Sequence, residues 1–325
     1  LADRLAGARI AGMTPSRAHA GLSLCALVCA AAGLGAAPGA AMAQSGALGD
    51  YFGPREIAVG EAGRADARGA SATTLNPAGL ALGGELVFEA SYGRNFDSDS
   101  NIITASGCDS TVIVPGCYYY RYFSAGAEDG EESGPSVHEG GATLARAITP
   151  SVTIGASAKY FRYSSGIADD DSDSGFTFDV GTVVRPVPRL GLAVVGYHLV
   201  GADSPQYPRG VAAGLTVRVI PRLAISADGL WNLDAPDDQS TGRYGGGAEY
   251  FLTARDGRSG YPIRLGVIHD VGPDSTYLTG GLGLVAAKVG LDVGVRAELG
   301  GGDFIVQASL RLFGPRRIQG TNRFQ

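Results

Sequence analysis

Val152-Thr153-Ile154-Gly155-Ala156-Ser157-Ala158-Lys159-Tyr160 alternates apolar with small or polar side chains, and Val289-Gly290-Leu291-Asp292-Val293-Gly294-Val295-Arg296-Ala297-Glu298 repeats the device. Successive strand residues point to opposite faces, so each stretch reads as a strand with one oily and one polar side. About a dozen such phrases follow one another between Glu85 and Phe313, divided by turns rich in Pro, Gly or Asp. A row of strands this long, each two-faced, points to a sheet closed on itself.

The connections alternate in kind. Thr149-Pro150-Ser151, Pro186-Val187-Pro188-Arg189, Ile220-Pro221-Arg222 and Ala286-Ala287-Lys288 are short. Ala168–Gly175, Gly201–Pro208, Asp234–Gly242, Val271–Ser275 and Gly300–Asp303 are longer and mostly acidic. Hairpins of an up-and-down barrel deposit successive connections at opposite ends, so this alternation is what one short-turn rim and one long-loop rim produce. Thr253–Tyr261 breaks the rule, being long where a short turn is due. The expected fold is all-β: a transmembrane antiparallel up-and-down β-barrel of about 12 strands, or about 14 if Gly93–Val137 holds a further pair at Val112–Val114 and Tyr118–Phe123.

In such a barrel the charged row faces the lumen, because an Arg on the lipid side at the midplane costs on the order of 2–4 kcal/mol. The expected lumen-lining polar residues are Lys159, Asp179, Arg185, Arg218, Asp228, Arg243, Glu249, Asp292, Arg296 and Arg311. Their mixed signs point to salt-bridged rungs. Aromatics near strand ends read as interfacial girdles: Tyr92, Tyr163, Phe176, Tyr197, Trp231, Tyr244 and Tyr277 toward the long-loop rim, with Tyr250, Phe251, Tyr261 and Phe313 toward the other.

Composition agrees with an ordered β protein. With 51 glycines among 325 residues and 18% charged residues, the chain is too apolar for disorder and too rich in Gly for a helical bundle. A formal net charge of −6 supplies no basic face for a phosphate backbone, which excludes nucleic acid as a partner. Arg17 and His19 precede the apolar stretch Gly21–Ala37, and Ala41-Met42-Ala43 offers small residues for cleavage before Gln44. Residues 1–43 therefore read as an upstream extension, with Met13 the expected start, and a secretory signal that is removed. Of the cysteines that remain, Cys108 and Cys117 close a short loop and are expected to form a disulfide in an oxidising compartment. A metal is the rival, but Asp109 is the single carboxylate beside them and no His is near. The mature chain then divides into 44–82, small-residue-rich and non-periodic; 83–313, the strands; and 314–325, a polar tail.

One segment carries a resemblance. Gly53-Pro54-Arg55-Glu56-Ile57-Ala58-Val59-Gly60-Glu61-Ala62-Gly63-Arg64-Ala65-Asp66-Ala67, followed by Thr73-Thr74-Leu75-Asn76-Pro77-Ala78-Gly79-Leu80 and a strand, resembles the start of the outer-membrane long-chain fatty-acid transporter superfamily, FadL and TodX-like, with its PorV-like relatives. The resemblance implies a fourteen-stranded barrel whose lumen holds an N-terminal hatch with the motif Asn76-Pro77-Ala78. It also implies passive uptake of hydrophobic small molecules such as long-chain fatty acids across the outer membrane of a diderm bacterium, or, for PorV-like relatives, a scaffold or shuttle in protein secretion. On the residues themselves, Pro77 fixes φ and removes a donor, Asn76 can bond its own backbone, and Gly and Ala let a folded segment sit beside a wall. The expected partners are the lipid bilayer, a hydrophobic ligand and the barrel-assembly machinery, with the barrel a monomer.

Catalysis has no comparable support. His138 lies near Ser136 and Glu139, and His269 precedes Asp270, but adjacency in sequence does not converge three groups on one reacting atom. A lipid-modifying enzyme is the least favoured reading, and no catalytic residue or cofactor is expected. The acidic run Asp169–Asp173 offers oxygen ligands for Ca²⁺ but lacks the spacing and central Gly of a binding loop, so it reads as solvated surface and no metal site is expected.

Overall fold

A computed structural model describes residues 52–126, 134–165, 172–200, 204, 206–235, 241–254 and 259–316. Residues 1–51, which hold the expected signal and the first part of the expected hatch, Asp169 to Asp171 of the acidic run and the tail beyond Arg316 lie outside the described residues.

Fourteen antiparallel strands close into a barrel. They are β1 (Glu85–Asn95), β2 (Ser100–Asp109), β3 (Gly116–Ser124), β4 (Ser136–Thr149), β5 (Val152–Ser164), β6 (Asp173–Val187), β7 (Leu190–Tyr197), β8 (Gly210–Ile220), β9 (Leu223–Asn232), β10 (Gly242–Thr253), β11 (Gly260–Asp270), β12 (Ser275–Val285), β13 (Val289–Glu298) and β14 (Phe304–Arg316). Each pairs with its neighbours in sequence, and β1 pairs with β14 from Asn95↔Ile305 to Glu85↔Arg316, which leaves no open edge. An even strand number puts the start of β1 and the end of β14 on the short-turn rim.

The period-2 pattern is the wall itself. Along β5 the residues from Thr153 to Phe161 alternate buried and exposed, with Thr153, Ser157 and Lys159 turned in and Ile154 and Tyr160 turned out. Across the outer face, Leu265, Leu282 and Phe176 are 67%, 62% and 63% exposed, the oily band that lipid covers.

The extra pair is real but differs from expectation. Tyr118–Phe123 belongs to β3, whereas its partner is Ser100–Asp109; Val112–Val114 lies in the turn between them, with Ile113 76% exposed. Strand β2 alternates weakly because small residues such as Ser106 and Gly107 stand beside Ile103 and Ala105, so its period was masked. Cys108 and Cys117 face each other in the β2–β3 register and are joined by a disulfide that points inward, packed on Ala72 and Leu80. The connection 254–259 is closed at its base by the Ala254 amide on the Ser259 carbonyl, 2.9 Å.

The girdle is partly corrected. Tyr92, Phe176, Tyr244, Tyr250 and Tyr261 are exposed on the outer face, and Trp231 Nε1 donates to the Tyr244 hydroxyl at 3.2 Å. Tyr197, Tyr277 and Phe313 turn inward instead: Tyr197 bonds Arg64 and Leu75, the Arg296 guanidinium stands 4.8 Å from the Tyr277 ring, and that of Arg311 5.4 Å from the Phe313 ring. Parity along the strand, not nearness to a rim, sets the face. Tyr163 likewise packs on an inward cluster, and Phe251 shares the parity of Glu249.

The lipid face yields a prediction. Leu265 lies mid-strand in β11, so Leu265→Arg is expected to destabilise the folded barrel in bilayers by about 2–4 kcal/mol. Reversible urea unfolding in lipid vesicles checks this, and an unchanged midpoint argues against Leu265 facing the hydrocarbon.

Candidate functional site: the internal segment and the lumen wall

Residues 52–84 lie against the inward face of the wall. They begin with a short helix, α1 (Pro54–Ala58), entered at Pro54 in the first helical position, where its missing N–H costs nothing. The chain then bends through Gly60 and Glu61, at φ +70° and +56°, and makes two 3₁₀ turns, Gly69–Thr73 and Pro77–Leu82.

The path is circumferential. Pro54 packs on Gly294 of β13, Ala58 on Gly281 of β12, Gly60 on Gly266 of β11 and Gly245 of β10, Arg64 on Gly214 of β8, Ala65 on Gly191 of β7, Asn76 on Gly181 of β6 and Pro77 on Gly155 of β5. Leu80 then meets the disulfide between β2 and β3 before the chain enters β1. The segment thus follows the inside of the wall against the order of the strands from β13 to β7, crosses at Gly69–Thr73 to the side of β1–β4, and returns to β6 before running back toward β2. At Gly155 and Gly181 the approach is so close that an added Cβ would strike Pro77 backbone or the Asn76 amide oxygen; only glycine fits there.

Asn76 fixes the second turn. Its Oδ1 accepts from the Ala78 amide at 3.0 Å, capping the 3₁₀ turn that Pro77 opens. Its Nδ2 donates to the Arg64 carbonyl at 3.0 Å and to the Thr182 carbonyl of β6 at 3.2 Å. Asn76 is fully buried, so each of these bonds replaces one that water would otherwise supply.

Charges tie the rest of the segment to the wall. Asp66 accepts from Arg185 at 2.8 Å and from Arg218, with Arg68 of its own segment at 2.9 Å. Glu61 bonds Arg243 at 2.7 Å and Arg296 at 3.2 Å. Asp228 receives the amides of Gly63 and Arg64, both at 2.9 Å, and the Arg64 guanidinium at 3.1 Å. Arg55 bonds Glu249 at 3.2 Å, which continues along the wall through Arg264, Asp292 and Arg311. Lys159 pairs with Asp179 at 2.5 Å within the wall. Every lumen residue expected from the sequence therefore meets an opposite charge, and all but Lys159, Asp179, Asp292 and Arg311 do so through the internal segment.

Several partners escaped sequence reading. Arg55, Glu61, Arg64 and Asp66 stand in a non-periodic stretch with nothing to mark their faces. Arg121 and Arg264 had a usable signal, since each alternates with outward Tyr or aliphatic residues in its strand. Burial pushes the Asp66 carboxyl up, but Arg68, Arg218, Arg55 and Arg185 outweigh it and hold the group below the usual carboxylate range. For Arg64, burial is outweighed by Tyr197 and Asp228, which keep the guanidinium charged.

Little space remains beside the segment. A cavity of about 30 Å³ lies between it and β8–β10, lined by Arg55, Asp66 and Glu249 together with Val59, Ala67 and Leu75, room for a water-sized molecule only. Ser136, His138 and Glu139 do not converge: His138 is exposed on the outer face, 2.6 Å from the Tyr120 hydroxyl, while Glu139 is buried inside. His269 and Asp270 likewise take opposite faces. Among the described residues no group of three His, Cys, Asp or Glu is placed to hold a metal.

No family model matches the sequence, and no curated protein matches it. Solved structures do share its fold. The toluene transporter TbuX of Ralstonia pickettii is 14% identical with a TM-score of 0.63, the match covering 82% of this chain and 98% of that one. The CymD monoaromatic hydrocarbon channel gives 12%, 0.62, 82% and 98%, and a Pseudomonas aeruginosa FadL homologue 10%, 0.59, 82% and 99%. The resemblance read at Gly53–Leu80 holds at the level of fold, a closed barrel of the FadL and TodX type.

Asp66 is the most heavily shared anchor, and its removal sets a prediction. Asp66→Asn takes the counter-charge from three guanidiniums that are 27–40% exposed, so the seating of the segment is expected to weaken by only about 1–3 kcal/mol. Because the folded group titrates below its unfolded value near 4, its contribution is complete above about pH 4 and fades as pH falls through the lower folded value. Ion leak through single barrels in planar bilayers is expected to rise in Asp66→Asn at pH 7, and in the parent protein on acidification below about pH 4. Equal, pH-independent leak in both proteins contradicts this.

Proposed function

We propose that this chain is an outer-membrane barrel of a diderm bacterium for passive uptake of hydrophobic small molecules, such as long-chain fatty acids, with residues 52–84 as the gate. The observation that carries the reading is how that segment is held. Its contacts with the wall are ion pairs, amide hydrogen bonds, glycine contacts and apolar packing of residues such as Leu75 and Leu80 on Ile305 and the disulfide, with no covalent bond among those described, and water can replace each polar one. A barrel sealed for strength alone is more economically filled with apolar side chains. The solute enters from the long-loop rim, the segment rearranges, and the solute leaves through the freed lumen or sideways through the wall. The barrel works as a monomer, after folding with the help of the assembly machinery.

A second reading has its own observation. The cavity beside the segment is small, which suits a barrel that does not transport and instead scaffolds or shuttles secreted proteins. The two readings part on flux.

Deleting Asn76-Pro77-Ala78 removes the capped turn and the bonds to Arg64 and Thr182. The expected outcome is a folded barrel with raised ion leak and altered uptake of a labelled long-chain fatty acid by cells. Deletion that leaves both assembly and uptake untouched rejects the gate, and parent protein with no flux above empty vesicles favours the scaffold.

A further inference from the structure

Toward the long-loop rim the inner wall changes character. Ile102, Phe123, Val137 and Phe161, on the four neighbouring strands β2 to β5, face inward and are 1–3% exposed. The inner wall's other apolar positions, such as Ile305, the disulfide and Val183, are covered by the internal segment, and this patch has a different partner. That partner is a loop residue. Tyr207, in the connection between β7 and β8, lays its ring on Phe161 with centroids 4.0 Å apart and planes inclined by 21°, and His198 meets its edge at 5.0 Å. The Tyr207 hydroxyl donates to Glu139 Oε2 at 3.0 Å. Glu139 Oε1 accepts from Arg121 at 2.7 Å, and Arg121 in turn donates to Thr73 at 2.6 Å and Thr74 at 2.8 Å, in the internal segment.

The place is a slot for one flat ring with a single anionic acceptor at its end. We propose that it is a binding site for small hydroxylated monoaromatics, the phenols, which enter by displacing Tyr207, the tethered phenol already seated there. The inference rests on the uptake reading and names a solute class for it. A phenol restores both what the ring of Tyr207 gives Phe161 and what its hydroxyl gives Glu139. An aromatic hydrocarbon of the same shape fills the slot but leaves the buried carboxylate short of a donor, so the site discriminates by that one bond. Tyr207 acts as a built-in competitor at high effective concentration, and the apparent affinity is lowered by the fraction of time its ring is seated. Exchange at Glu139 also reaches the internal segment directly, since Arg121 holds both.

The test is calorimetric titration of the folded barrel in detergent with 4-methylphenol and, separately, toluene. The parent protein is expected to bind 4-methylphenol saturably and toluene about tenfold more weakly or worse. Tyr207→Phe loses the bond to Glu139 and Tyr207→Ala loses the competitor, so both are expected to bind 4-methylphenol more tightly than the parent, the Ala variant by about tenfold. Boiled and unboiled gel mobility reports that each variant is folded; should the Ala variant fail to fold, the parent and the Phe variant decide. Equal affinity for the two probes overturns the proposal. So does binding to the Ala variant with none to the parent, which makes Tyr207 a permanent filler. Fatty-acid flux in vesicles separates the two readings: flux without 4-methylphenol binding sinks only this inference, and binding without flux of any solute sinks the uptake reading.

Discussion

Closure is the constraint from which everything else follows. In hydrocarbon no water can bond a free N–H or C=O, so the β1–β14 pairing is what allows the sheet to exist there at all. It also sets the size of the interior. About eight strands enclose a space that side chains fill and about sixteen leave an aqueous channel; fourteen lie between, too wide for side chains alone. Residues 52–84 occupy that excess.

The occupant and the wall are made for each other through glycine. The glycines at 155, 181, 191, 214, 245, 266, 281 and 294 sit under successive residues of the internal segment, on strands spread over more than half the circumference. In the sequence Gly155 and Gly294 read as members of the small or polar row of their strands. In the barrel the whole set is a recessed track. Glycine within a strand loses packing and costs conformational entropy, and here the closed ladder on both sides holds it in place while the missing Cβ admits another backbone. The abundance of glycine is therefore a property of the inner face as much as of the turns.

What the sequence disclosed was whatever depends on local period. The two faces of β5 and β13, the alternation of rims and the inward charges all follow from parity and turn chemistry, and the Asn76-Pro77-Ala78 motif pointed to the fold. What stayed hidden was non-local. Nothing around Arg55, Glu61 or Asp66 announces that each will meet guanidinium or carboxylate groups more than a hundred residues away. Strand β2 is hidden because small residues blur its period, and Tyr197 reads as a girdle residue by its place near a rim while its parity turns it inward. Tyr207 lies in a loop, where no periodicity exists to reveal that its ring turns into the lumen.

The distribution of polarity inside the barrel bears on how an oily solute could pass. Apolar surface faces the lumen at the long-loop end, around Phe161 and Tyr207, and near the short-turn end, where the disulfide packs on Leu80 and Ala72. Across the same height run the charges of Asp66, Glu61, Asp228 and their guanidiniums, from Arg243 and Arg296 at the long-loop end to Arg185 and Arg218 at the short-turn end, and they form a charged belt around the lumen. A hydrophobic molecule crossing that belt without disturbing it would strip water from charges and offer nothing in return, a cost of several kcal/mol for each ion left short. Moving the segment as a body opens both members of each pair to water, so hydration replaces the ion pair even where it is buried, as at Arg64–Asp228, and no ion is left short. The charges that hold the segment in place are thus also what makes its displacement, rather than permeation past it, the cheaper route along the axis.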